Sequence, residues 1–233
     1  MKSLYEQILS LSQDPTKYSD PQEVLDLPFP SMNTIPPRFF VSDEGKISYM
    51  GRECFNDVWT MLNKVKGKYR QRKAIYFYGG KGFGKSYVFA ALACLLIRRG
   101  ERVVYLPDCR AMLAEPLAYI RKALVLAFIH DASELEYILA CETVESLANF
   151  CVKYQNIAPL SFIVDQQNAL DPEPDKVKDS TKEDLRKMLR LMTAGHISMT
   201  SATANHDTHK HMLTKQTGEE MVPLLGGMTS VRV

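Results

Sequence analysis

Several things are missing from this sequence, and each absence removes a class of protein. No apolar run approaches the ~20 residues needed to cross a bilayer; the longest, Val88 to Ile97, is too short. No charged-then-apolar leader opens the chain at "MKSLYEQILS", so neither a classical secretory signal nor membrane contact is expected. An excess of one charge is missing as well. Lys and Arg number 29 against 27 Asp and Glu, and the balance of +2 offers no general attraction to nucleic acid or anionic lipid. The cysteines, Cys54, Cys94, Cys109, Cys141 and Cys151, lack CxxC pairing and sit mostly in apolar runs, which predicts buried free thiols rather than disulfides or a zinc site. His196, His206, His209 and His211 have neither the HExxH spacing nor that of a structural zinc motif, and read as ordinary polar residues. No internal repeat is visible.

What is present is the composition of a globular protein: 233 residues, 45% hydrophobic and 24% charged, enough to bury one substantial core. Pro15, Pro21, Pro28, Pro30, Pro36 and Pro37 break up the first forty residues, so 1–40 is expected to be a proline-rich N-terminal arm or irregular covering layer, with the main domain spanning 41–233. In "GRECFNDVWTMLNKVKGK" the residues Cys54, Phe55, Val58, Met61, Leu62 and Val65 recur at helical spacing, predicting an amphipathic helix that ends near Gly67. Ala74 to Tyr78 reads as a short buried strand, and Lys85 to Arg99, apolar almost all round and followed by Gly100, as a buried helix. Arg102 to Leu106 is a second strand, a helical insertion covers about 109–156, and "LSFIVDQ" is a third strand ending on Asp165. A helix over about Thr181 to Ala194, with Ser180 and Glu183 as a capping box, precedes a fourth strand in "HISMTSATAN" and a weaker fifth in "EMVPLLGGM". This alternation predicts an α/β fold: a three-layer αβα sandwich around a mainly parallel five-stranded sheet, with its ligand at the carboxyl ends of the strands.

The stretch "YGGKGFGKSY" carries the sharpest chemical signal. Gly79, Gly84, Lys85 and Ser86 fit G-x-x-x-x-G-K-[ST], the P-loop pattern, with a strand before it and a helix after it. Such a loop curls its amides around phosphate, and the following helix points its unsatisfied amides and positive dipole end the same way. The candidate nucleotide-binding residues are therefore Gly79, Gly80, Lys81, Gly82, Phe83, Gly84, Lys85, Ser86 and Tyr87. Lys85 is placed to reach the β- and γ-phosphates of ATP or GTP, and Ser86 with Asp165 to hold Mg²⁺. Gln166 follows Asp165 where many P-loop ATPases carry a Glu; an amide can orient water but cannot accept its proton, so turnover and binding alone both stay open. Thr200, Ser201 and Asn205, at the end of the fourth strand, are candidates to orient the attacking water. In "YMGRECF", Tyr49, Gly51 and Arg52 loosely resemble the hydrophobic-Gly-Arg-Glu entry to the first helix of STAND and AAA+ type ATPases, which implies a segment that helps enclose adenine; a plain exposed turn is the alternative. Arg186 and Arg190 share a helix face that could meet a neighbour's phosphate, or simply water. The basic run from Lys64 to Lys73 reads as a solvated helix end and linker, or as a nucleic-acid contact or nuclear import signal.

Taken together, "YFYGGKGFGKSY", "LLIRRGERVVYLPDCRAML", "FIVDQQNAL" and "TSATAN" resemble the P-loop ATPase domain of the Crinkler and Crinkler-RHS type effectors of oomycetes and fungi, an AAA+/STAND-like module. The resemblance covers roughly Phe39 to Met228 and implies that Gln166 after Asp165 is a family trait. It further implies a secreted effector that works inside a host cell, in its nucleus, on immunity, symbiosis or cell death, with a host protein or a second copy as partner. Against that pattern the chain shows no "LFLAK" segment, no helical lid, and no further effector domain beyond "GGMTSVRV". Three readings follow: an Mg-ATP hydrolase, a nucleotide-binding interaction module without turnover, and, disfavoured by the missing arginine-rich lid, a small-molecule kinase.

Overall fold

The structure, a computed structural model, describes residues 2–67, 73–80, 82–171, 180–202 and 220–224. The proline-rich opening holds more order than its composition predicts: helices α1 (Lys2–Leu9) and α2 (Pro15–Ser19), then strand β1 (Val24–Pro28) paired antiparallel with β2 (Lys46–Met50). The prolines sit where a missing N–H is harmless. Pro15 opens α2 behind Asp14, whose carboxylate accepts from the Thr16 amide, and Pro28 closes β1. Ile8, Tyr18, Leu27, Phe29 and Phe39 are buried, so this segment supplies core rather than only covering it.

Helix α3 (Cys54–Lys66) buries Phe55, Val58, Leu62 and Val65 on one face and stops at Gly67, as its spacing predicts. Then comes the parallel sheet. Strands β3 (Lys73–Tyr78), β4 (Val103–Leu106), β5 (Ser161–Val164), β6 (Ile197–Ser201) and β7 (Glu220–Pro223) lie in the order β4-β5-β6-β3-β7. Between β3 and β4 runs α4 (Lys85–Arg98); between β4 and β5 run α5 (Cys109–Ala114), α6 (Pro116–Ala127), α7 (Ala132–Ala140) and α8 (Val144–Tyr154); α9 (Ser180–Thr193) leads into β6. Ser180 is itself the first residue of α9, and the residue before it lies outside the described set.

Because successive strand side chains face opposite ways, the sheet feeds two separate cores. Ile75, Phe77, Val103, Tyr105, Ile163 and Met199 pack with α3, α4 and the N-terminal elements; Val104, Leu106, Phe162 and Val164 pack with α5, α6, α8 and α9. Helix α4 is buried from Val88 to Ile97, which explains its lack of a polar face. Each of its leucines contributes about 1.5–3 kcal/mol by leaving water. Three layers result, helices on both faces of a parallel five-stranded sheet, and they form an α/β fold. The decisive feature is that β6 lies between β3, which delivers the glycine loop, and β5, which delivers Asp165.

Candidate functional site

Strand β3 ends at Tyr78 and the chain turns through Gly79–Gly84 into α4. Gly84, the residue capping α4, has φ +72°, and a Cβ there would lie 2.0 Å from Nη1 of Arg52. Only glycine meets both demands. Arg52 Nη1 donates to the Phe83 carbonyl at 2.9 Å, so the arginine of "YMGRECF" braces the loop. Tyr49 of that segment is fully buried and donates its hydroxyl to the Tyr18 carbonyl; it is a core residue and offers no face to a base. Gly80 lies under the Phe83 ring, and Gly79 lies against the Leu224 carbonyl beyond β7. Lys81 falls outside the described residues.

Lys85, 8% exposed, donates from Nζ to the carbonyls of Gly79 and Gly80, both at 2.8 Å. Burial pulls its pKa below the usual lysine range, and the nearby Asp165 carboxylate acts against that shift. Tyr87, the last residue of the motif, accepts the Phe40 N–H on its hydroxyl at 2.7 Å and packs its ring on Phe39.

Asp165, 2% exposed, stands at the carboxyl end of β5. Its Oδ1 accepts the Gln166 N–H at 2.9 Å and a close hydrogen bond from Ser201 Oγ. Its Oδ2 accepts from Arg38 Nη2 at 3.2 Å. The same guanidinium donates from Nε to Ser86 Oγ at 2.9 Å, from Nη1 to Asp108 Oδ2 at 2.9 Å, and from Nη2 to the Pro107 carbonyl. Ser86 and Asp165, predicted from sequence as partners on one metal ion, thus converge on one positive charge, and that charge is Arg38. A hydroxyl and a buried carboxylate gathered around a cation are the donor set that magnesium takes in such loops, so the residues fit the ion.

Gln166 has φ +57°, the left-handed region that side chains other than glycine rarely enter. This reverses the backbone directly after Asp165 and starts the 3₁₀ turn Gln167–Leu170. Ser201 is fully buried with its hydroxyl committed to Asp165, which makes it a positioning group for that carboxylate. Thr200 is partly exposed at the same strand end, level with Tyr76 and Val164. Asn205 and the histidines at 206, 209 and 211 lie outside the described residues. His196 is buried: its Nδ1 accepts the Leu160 N–H at 3.0 Å and its Nε2–H donates to the Cys151 carbonyl at 2.9 Å. Arg186 is tied to the Leu170 carbonyl at 2.6 Å and to Asp171 at 3.4 Å, which directs it into its own chain. Lys64 pairs with Glu220, and Lys66 pairs with Glu101, so two of the basic run's residues are held within this fold. Among the described residues, no three or more His, Cys, Asp or Glu side chains gather as a metal site, and no helix is long and apolar enough to cross a membrane.

Two members of the cluster were not anticipated from sequence. Asp108 had a usable signal: it sits two residues beyond β4, and in a parallel sheet the ends of adjoining strands β4 and β5 come side by side. Arg38, in "IPPRFF", had none, because no periodic pattern links it to residues so distant in the chain.

No family model matches the chain, and no curated protein matches it. Among solved structures it is similar to one of DnaI, at 16% identity and TM-score 0.39 over 74% of this chain and 82% of that one. A DNA replication initiation factor gives 15% and 0.42 over 82% of this chain and 50% of its own. A structure of Drosophila ORC bound to GC-rich DNA and Cdc6 gives 15% and 0.41 over 74% of this chain and 29% of that one.

Proposed function

We propose that the chain binds a nucleoside triphosphate, ATP or GTP, in the Gly79–Ser86 loop and hydrolyses it. The observation that carries this is the convergence of Ser86 and Asp165 on one cation position beside a loop whose lysine is buried across its own carbonyls. A bound triphosphate offers Lys85 charged oxygens in place of those neutral carbonyls, a stronger hydrogen-bonding partner for a buried ammonium. The first-turn amides of α4, which no helical carbonyl can accept, add donors at the same end. Magnesium held by Ser86 and Asp165 would supply positive charge to the β- and γ-phosphates. Ser201 and the Gln166 amide fix the Asp165 carboxylate, while the Gln166 side chain and Thr200 orient water. Asn205 belongs to the same proposed set, and Lys81 adds charge to the loop.

Lys85→Ala tests the reading. Titration with a fluorescent ATP analogue should show binding reduced at least tenfold, with phosphate release lost; unchanged affinity and turnover would refute it.

A second reading, a nucleotide-binding module that acts by docking a host protein or a second copy, is favoured by two observations. Gln166 cannot take a proton from water, and α7 of the helical insertion leaves Tyr137 and Leu139 exposed. Comparing Asp165→Ala with the parent separates the two: partner binding that persists without phosphate release supports docking. The effector role, delivery from outside and host-nucleus address rest on the Crinkler resemblance of the sequence alone. The ion pairs of Lys64 and Lys66 favour a solvated helix end over a nucleic-acid contact.

A further inference from the structure

We propose that Arg38 is an internal cation seated in the metal position, and that a divalent ion binds there only by displacing it. The inference rests on the nucleotide-binding reading above and adds Asp108 to the groups facing the ion.

Arg38 fills the position in charge and in hydrogen bonding. Its Nε, Nη1 and Nη2 reach Ser86 Oγ, Asp108 Oδ2, Asp165 Oδ2 and the Pro107 carbonyl. Asp165, almost wholly buried, needs a positive partner, since an unpaired carboxylate in that setting is costly. Asp108 cannot turn away easily: its Oδ1 accepts from the Arg110 and Ala111 amides at the start of α5, and its own amide donates to Tyr119 Oη. The two carboxylates are thus fixed facing one point. A divalent ion sharing Ser86 Oγ and Asp165 Oδ2 with the guanidinium would place two cations on the same oxygens, where their repulsion is strongest. One must leave.

The surroundings let the side chain go without unfolding the segment. Arg38 is 24% exposed, so a route to water exists, while its neighbour Phe39 is anchored against Phe29 and Tyr87 and Phe40 is 80% exposed. Ion loading therefore releases a guanidinium to the surface beside Phe40 while the backbone stays docked. The measurable result is a reduced apparent affinity for the ion, in proportion to the fraction of time the seat is free.

The test compares the parent chain with Arg38→Ala and Arg38→Gln, first with magnesium chloride alone. Both variants remove the guanidinium that Asp108 and Asp165 share, so millimolar magnesium should raise their melting temperature by several degrees relative to sodium chloride of equal ionic strength. The parent should respond little. Adding Asp165→Asn to either variant should abolish the response. With a fluorescent ATP analogue, the magnesium concentration for half-maximal binding should fall about tenfold in the variants, as expected if the seat is free roughly a tenth of the time in the parent. Equal magnesium responses in parent and variants would overturn the proposal, even if nucleotide binds well. A magnesium response confined to the variants, with no nucleotide bound by any chain, would uphold the cation seat and refute the phosphate-cradle reading instead. Should Arg38→Ala fail to fold, Arg38→Gln keeps the aliphatic stem and carries the same comparison.

Discussion

Ser201 shows how packing adds to what the sequence says of a residue. From sequence it is one of three polar groups at a strand end that are candidates to orient water; in the fold its hydroxyl is buried and bonded to Asp165. Ser201→Ala leaves Oδ1 of Asp165 with the Gln166 amide as its donor, and removing a donor from a buried charged group costs about 1–3 kcal/mol. Urea unfolding should show a loss of that size. A variant with parental stability but lost phosphate release would instead return Ser201 to the water-orienting role. The glycine loop was legible because its pattern is local: residues within one short stretch predict the strand before it and the helix after it, and both are present. The environment of Asp165 was only half legible. Its strand follows from the pattern, while its bond from Ser201 and the reach of Arg38, from a segment with no readable periodicity, are contacts that only packing reveals.

At the level of elements, hydrophobic period did most of the positioning. Strands β3 to β5 and helices α3, α4 and α9 fall within a residue or two of where their spacing puts them, and β6 starts one residue into "HISMTSATAN" and ends at Ser201. The N-terminal segment is harder to read because proline breaks most elements, although here Pro15 opens α2 and Pro28 closes β1 without excluding either. One joint between elements has a pH consequence. His196, at the entry to β6, links the Cys151 carbonyl of α8 to the Leu160 amide before β5. Burial lowers its pKa from the ordinary histidine value, partly countered by its bond to Cys151. A depressed histidine pKa means the unfolded chain takes up the proton first. Stability is then whole above about pH 6.5 and declines as the pH falls from there through the lower folded-state value. The geometry agrees, since protonating Nδ1 would aim its proton at the Leu160 N–H. Chemical denaturation between pH 8 and pH 5 should show this decline, and His196→Gln should flatten it; an unchanged slope in that variant would assign the effect to other groups.

For the molecule as a whole, the insertion of β6 between β3 and β5 fixes the scale of the site. Neighbouring strands lie about 4.8 Å apart, so the glycine loop and Asp165 are separated by two such steps. The same sheet divides the cysteines. Cys94 belongs to the core on the α4 side, and Cys109, Cys141 and Cys151 to the core on the other, all buried, while Cys54 is half-buried on α3. Burial raises the thiol pKa of Cys94 and Cys109 far above the usual range and that of Cys151 to about 12, so these sulfurs stay protonated and unreactive until the structure opens around them. Mass-spectrometric timing of a thiol-reactive label should show Cys54 modified first, then Cys141 at the end of α7, with Cys94 and Cys109 last. Labelling of Cys94 as fast as Cys54 would mean that the α4 layer opens freely. The chain thus carries a clock on each side of its sheet, and one labelling time course would tell which half of the interior comes apart first.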